Sequence, residues 1–250
     1  MECNSARPSR GERREKLRAL WRMTALPLIA CGIVLIFVAV MQIGLHSGAP
    51  AAASPETGGI LLDPGHGGQD GGASAADGTL EKDINLAIAL PLGDMLRVCG
   101  YPVRLTRETD ISLHSGDAGT VREQKVSDMH NRLAMYDEAD LVIGIHTNKF
   151  PQTQYSGTQL FYSVNRPESE GIASAIRASV VGLLQPKNTR EMKKADSNIF
   201  LLHKTQTPAV FVETGFLSNP EELALLKDGN YQKKMAFAIM GGVLEYGPDV

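Results

Sequence analysis

From residue 60 to residue 246 the chain alternates short apolar runs with segments of helical period, and that alternation leaves few folds open to it. Runs of strand length occupy 60–62, 103–105, 141–145, 158–162, 199–202 and 209–212. Between and after them, 81–99, 125–136, 168–184, 221–227 and 231–246 read as helices. In the first helix Ile84, Ile88, Leu92, Met95 and Cys99 recur on one face, and Gly100 ends the pattern. Pro91 is expected to kink it, since an interior proline costs about 3 kcal/mol. In the third, Ile172, Ala175, Ile176, Ser179 and Leu183 form the inward face. Strands alternating with helices predict an α/β layer fold, a single domain over 58–247 with a largely parallel sheet. Ligands of such sheets bind beyond the carboxyl ends of the strands.

A different kind of sequence precedes this body. Residues 1–22 form a basic tail in which Arg7, Arg10, Arg13, Arg14, Lys16, Arg18 and Arg22 outnumber Glu2, Glu12 and Glu15. Residues 23–45 carry no charge, and a run of that length matches the roughly 20 residues that span a bilayer. One N-terminal transmembrane helix is therefore expected, with the basic tail in the cytoplasm and the body outside. The run exceeds the roughly 7–15 residues of a signal-peptide core, which favours an uncleaved signal anchor. Small-residue patterns at 49–51 and 51–53 keep secretion after cleavage as the alternative. Residues 46–57, rich in Ala and Pro, read as a linker. The tail carries +4 of an overall net charge of −3, so the rest of the chain holds −7. An acidic body argues against nucleic acid as a partner, because phosphate contacts need clustered Lys and Arg.

Cysteine use narrows the chemistry further. Cys3 and Cys31 lie before or within the apolar run, so Cys99 is alone in the exported part. No disulfide and no thiolate cluster can form there. Cys99 itself, on an apolar helix face, is expected to be a buried small hydrophobe. Any metal must use histidine and carboxylate ligands.

Four such residues sit where strands end or helices begin. His66 follows the first strand in the loop Asp63-Pro-Gly-His-Gly-Gly68, with Asp63 available to accept its other ring proton. Glu81 opens the next helix after Thr79, an N-cap residue type; the helix dipole alone would explain an acid there. His146 closes the strand at 141–145, where a histidine is as often a cap as a ligand, and Glu213 closes the strand at 209–212. A carboxylate just past a buried strand is partly desolvated, which raises its pKa and suits a general base. Amide hydrolysis by zinc needs three protein ligands, an open position and such a base. The Gly-rich loop GHGGQDGG lacks the Lys-Ser/Thr of a phosphate-binding loop. The long polar segments 107–124 and 185–198 are candidate substrate-lining or regulatory loops.

The stretches LLDPGHGGQDGG, EKDINLAIAL, VRLTRETD, ADLVIGIHTN and PAVFVETGFLSNPEE, in that order, resemble the zinc-dependent N-acetylmuramoyl-L-alanine amidases. The resemblance runs from Gly59 to Tyr246 and is nearest to the sporulation and germination branch of that family. It implies a mixed sheet of about six strands flanked by helices, zinc held by His66, Glu81 and His146, and Glu213 as the catalytic carboxylate. It also implies peptidoglycan as substrate, with cleavage between the lactyl group of muramic acid and L-alanine, in the spore cortex on the way to muramic-δ-lactam. Gly144, where many relatives carry serine, His203, where arginine is frequent, and Pro91 depart from the family pattern without touching a ligand. A zinc carboxypeptidase or endopeptidase on the stem peptide, and an anchored wall-binding protein without catalysis, are the alternatives. An activating protein partner is left open.

Overall fold

A computed structural model describes residues 57–250. The basic tail, the expected transmembrane anchor and nearly all of the linker lie outside the described residues. Among those described, no helix is long and apolar enough to cross a membrane.

Among the described residues six strands form one sheet: β1 (Ile60–Pro64), β2 (Val103–Leu105), β3 (Leu141–Asn148), β4 (Gln159–Tyr162), β5 (Lys193–Lys194) and β6 (Ala209–Phe216). Their order is β2-β1-β3-β6-β4-β5. Every neighbouring pair is parallel except β4 and β6, so the sheet is mixed and largely parallel, as expected. Side-chain alternation divides it into two faces. Ile60, Leu62, Ile143, Ile145, Val210 and Val212 enter one core, while Leu61, Val142, Ala209 and Phe211 enter the other. Helices α1 (Glu81–Val98), α3 (Glu168–Leu183) and α6 (Gly229–Tyr246) cover the first face. Helices α2 (Val121–Asp137) and α4 (Phe200–Lys204) cover the second. Helix α5 (Pro220–Lys227) follows β6, capped by the Asn219 side chain, which accepts from the backbone N–H groups of Glu221 and Glu222.

Local chemistry moved several boundaries. Thr120 and Glu123 form a reciprocal capping box, which starts α2 at Val121 rather than 125. The apolar run at 199–202 is not a strand. Asp196 accepts from the Asn198 and Ile199 amides and turns the chain into α4, whose Leu201 and Leu202 are buried beside Tyr136. A short apolar run does not by itself distinguish strand from helix. In α1 the buried positions are Ile84, Ile88, Leu92 and Leu96. The helix ends at Val98, so Cys99 is a C-cap residue and exposed rather than buried. The helix is continuous through Pro91. In α3 the inward face is Ile172, Ala173, Ile176 and Val180; Leu183, in the last turn, is 61% exposed.

Candidate metal centre

The parallel order places the ends of β1, β3 and β6 side by side. Residues of β1 pair with β3 through Pro64 opposite Ile145, so the loop carrying His66 emerges beside His146. Gly65 continues that contact, its N–H donating to the Ile145 carbonyl at 3.0 Å. On the other side of β3, His146 lies directly opposite Glu213 of β6. Both point to the α2/α4 face by the alternation described above, and a register shift follows immediately. Thus His146 and Glu213 are not strand ends; each stands inside a strand that continues to Asn148 and Phe216.

Glu81 is the hub. Its Oε1 lies 3.3 Å from His66 Nε2 and 3.2 Å from His146 Nδ1. The same carboxylate accepts from the Ala73 N–H at 2.8 Å and the Thr147 N–H at 3.2 Å, which fixes it in place. One donor atom from each of His66, Glu81 and His146 falls within 4.8 Å of the others, and Glu213 stands outside that group. Leu80, not Thr79, is the N-cap of α1, and no side chain caps it. The first-turn glutamate is therefore turned inward to the histidines.

The charges favour a cation here. Burial pulls the His66 pKa down, but hydrogen bonds to Asp70 and Glu81 outweigh it and raise the imidazole to about 9. Glu81 is pushed up by burial and, more strongly, drawn well below the ordinary carboxylate range by His146 and His66. His146 Nε2 is buried without a hydrogen-bond partner among the described residues. The nitrogens that face the Glu81 carboxylate are instead His66 Nε2 and His146 Nδ1, both within 3.3 Å of Oε1, and two imidazole donors converging with a carboxylate are a ligand set that a tetrahedral metal site uses. The residues fit a divalent metal held by two imidazoles and one carboxylate.

Asp63 does not orient His66. The ring Nδ1 instead meets Asp70 Oδ2 at 2.9 Å, and Asp70 Oδ1 is held by Lys125 at 3.1 Å. The reason is the backbone: His66 has φ of 65°, the only positive value outside glycine among the described residues, and the loop folds Asp70 back over the ring. An i,i+4 Asp in a Gly-rich loop is the sequence signal that would have identified it. Asp63 faces α2 and pairs with Arg132, Tyr136 and Thr106 in a buried cluster. Burial pushes its carboxyl up, and Arg132 with the two hydroxyls more than offsets this, holding it below the usual range. A depressed carboxylate contributes stability that is present above its unfolded value of 3.8 and lost as pH falls through the folded value. Arg132→Met, which strands that buried charge, is expected to cost about 3–5 kcal/mol at neutral pH. Urea unfolding checks this, and the cost should shrink as the buffer is acidified below about pH 4.

Close packing holds the rings. A Cβ on Gly65 would lie 2.1 Å from His146 Cε1, so no side chain fits there. Gly144 leaves room for the Phe211 ring, which stacks on His146 at 4.6 Å between centroids. Gly65→Ala is expected to displace His146 and lower metal affinity by about tenfold or more, read by competition with a chelator.

Glu213 is partly buried, and no side-chain hydrogen bond to its carboxylate is found among the described residues. Burial raises its pKa to about 7, with Glu81 adding to the rise and the two histidines opposing it. A cleft of about 280 Å³ opens beside His66 and His146, walled by Val121, Lys125 and Met129 of α2 and by Ser112. Of the two long loops, 107–120 packs against the centre, Asp110 accepting from the Gly68 N–H and from Lys82. The other holds β5 and Arg190, whose Nε donates to Gln159, the residue opposite Glu213 on β4. His114, His130 and His203 join no such donor group.

Comparison with known proteins gives a consistent result. The family profile for N-acetylmuramoyl-L-alanine amidase matches residues 60–245. A germination-specific N-acetylmuramoyl-L-alanine amidase of Bacillus subtilis is 36% identical over 217 residues, covering 86% of this chain and 90% of the relative. The CwlD amidase of Clostridioides difficile, solved in complex with the GerS lipoprotein, superposes with a TM-score of 0.72 at 39% identity, over 76% of this chain and 98% of that one. The amidase AmiC2 of Nostoc punctiforme follows with a TM-score of 0.61 at 27% identity, over 78% and 98%.

Proposed function

The chain belongs to the Amidase_3 family of N-acetylmuramoyl-L-alanine amidases, and from that premise we propose that it uses zinc to release stem peptides from peptidoglycan. The bond is the amide between the lactyl carbonyl of N-acetylmuramic acid and the nitrogen of L-alanine. The observation that carries this reading is the pairing of His146 with Glu213 across β3 and β6, beside the donors of His66 and Glu81. That pairing supports Glu213 as a base beside the metal rather than as one of its ligands.

His66, Glu81 and His146 would hold the zinc ion, which when bound would supply a Lewis acid and a water acidified from a pKa of about 15.7 towards about 7. Glu213 takes a proton from the attacking water as the new C–O bond forms. It then returns that proton to the alanine nitrogen as the C–N bond breaks. The products are a lactyl carboxylate on the glycan and a peptide with a free L-alanine amino group. Asp70 holds the His66 ring through Nδ1, and Lys125 holds Asp70.

The germination-specific relative and the CwlD neighbour support action in the spore cortex, where removal of stems precedes muramic-δ-lactam formation. Because that neighbour was solved with a lipoprotein, a protein partner of this kind is proposed as an activator. The uncharged run at 23–45 supports a membrane-anchored domain facing the wall, with secretion after cleavage as the other route. The test of the reaction is N-terminal labelling of peptides released from purified peptidoglycan. New L-alanine amino termini support the amidase; termini or carboxylates deeper in the stem would indicate a peptidase instead.

A further inference from the structure

His66 carries a conformation that its own chemistry disfavours. A side chain with a Cβ rarely adopts φ of 65°, and such backbone persists only where neighbours over-determine it. The neighbours are two buried arginines. Arg132, 4% exposed on α2, donates from Nη2 to the His66 carbonyl at 2.7 Å. Its Nη1 meets Asp63, and its Nε meets Asp128 at 2.9 Å, so the guanidinium is locked on both sides. Arg107, 2% exposed, donates from Nε to the Pro64 carbonyl at 2.9 Å. Its Nη2 reaches two carbonyls together, Gly65 at 3.1 Å and Lys82 at 2.8 Å.

Three consecutive carbonyls, 64 to 66, thus end on guanidinium groups. The Lys82 carbonyl belongs to the first turn of α1, one residue after Glu81, so Arg107 ties the His66 loop to the Glu81 helix. Arg107 forms no ion pair with a carboxylate among the described residues. A buried cation whose hydrogen bonds all go to carbonyls, with Asp63, Asp110 and Asp128 acting on it only from beyond ion-pair distance and outweighed by burial, is an expensive way to fill space. Its planar fork does what an apolar residue or lysine does not: it fixes several carbonyls at set directions.

We propose that Arg132 and Arg107 are positioning residues for metal binding. They act through the backbone, holding His66 in its left-handed conformation and at a fixed distance from Glu81, so that the donors converge before the ion arrives. Neither side chain belongs to the donor group, although Arg132 also lines the cleft beside it.

This rests on the metal reading above, and the test separates the two. Zinc affinity of the full chain is measured by competition with a chromogenic chelator, together with thermal unfolding of the metal-free protein. Failure of the parent chain to bind zinc would remove the metal reading and the proposal with it. Given a parent that binds, Arg132→Lys and Arg107→Lys are each expected to weaken zinc about 10–100-fold, the scale of lost outer-shell support. Leu96→Ala, a core truncation at the far end of α1, is the comparison for general loss of stability and should keep affinity within about twofold. If one lysine variant does not fold, the other carries the measurement. Parental affinity in a folded lysine variant overturns the proposal and leaves the metal reading intact. So does an equal loss of affinity in Leu96→Ala.

Discussion

Glu213→Gln is expected to lower turnover by about 10²–10⁴-fold, the range supplied by a positioned general acid–base group, while zinc remains bound. The substitution keeps size and shape at a position opposite His146, and it removes only the ability to take a proton. Because Glu213 lies outside the tight donor group, the metal content should not change. The pH profile gives an independent signature. Glu213 must be deprotonated to act, and burial raises its carboxyl to about 7 before any cation draws it down. The acid limb of kcat/KM should therefore fall at or below about pH 7 and disappear in the glutamine variant. Metal analysis with rate measurements on purified peptidoglycan tests both points. Retained turnover, or loss of metal together with turnover, would contradict the role given to this residue.

His66→Ala is expected to abolish both metal binding and activity. The ring is partly exposed, makes its polar contacts with Asp70 and Glu81 and meets His146 edge-on, outside the two hydrophobic cores, so its removal should leave the fold in place. What it removes is one of three converging donors. The expected loss of zinc affinity exceeds about 100-fold, the upper end of what losing a group that merely holds a ligand in place costs. Circular dichroism separates unfolding from loss of the site, and equilibrium dialysis reads the metal. A folded variant that still binds zinc tightly would remove His66 from the ligand set.

The layer architecture was legible because its signal is periodic. Isoleucine, leucine and valine at 60–62, 141–145 and 209–212 are buried from both sides, as parallel strands between helical layers must be. The apolar run at 199–202 shows where periodicity ends: four residues carry too little pattern, and the Asp196 turn decided for helix. Helix faces were legible to within a turn, with Leu96 replacing Cys99 because α1 stops at Val98. In the site, the residue types and an expected strand-end placement marked His66, Glu81, His146 and Glu213; the strands run on past His146 and Glu213, yet the topology brings all four to neighbouring elements. The supporting shell was not legible. Asp70 for Asp63 depends on the positive φ of His66, and Arg107 and Arg132 come from separate segments that meet only in the folded chain.

The most direct test of a metal-dependent amidase is mass spectrometry of muropeptides after digestion of purified peptidoglycan, with the enzyme metal-free, zinc-loaded, and zinc-loaded then chelated. Intact stem peptides beginning at L-alanine, together with stem-free muramic residues, are expected only in the zinc-loaded digest. Equal release from the metal-free enzyme, or products cut within the stem while the lactyl–alanine bond survives, would contradict a metal-dependent amidase.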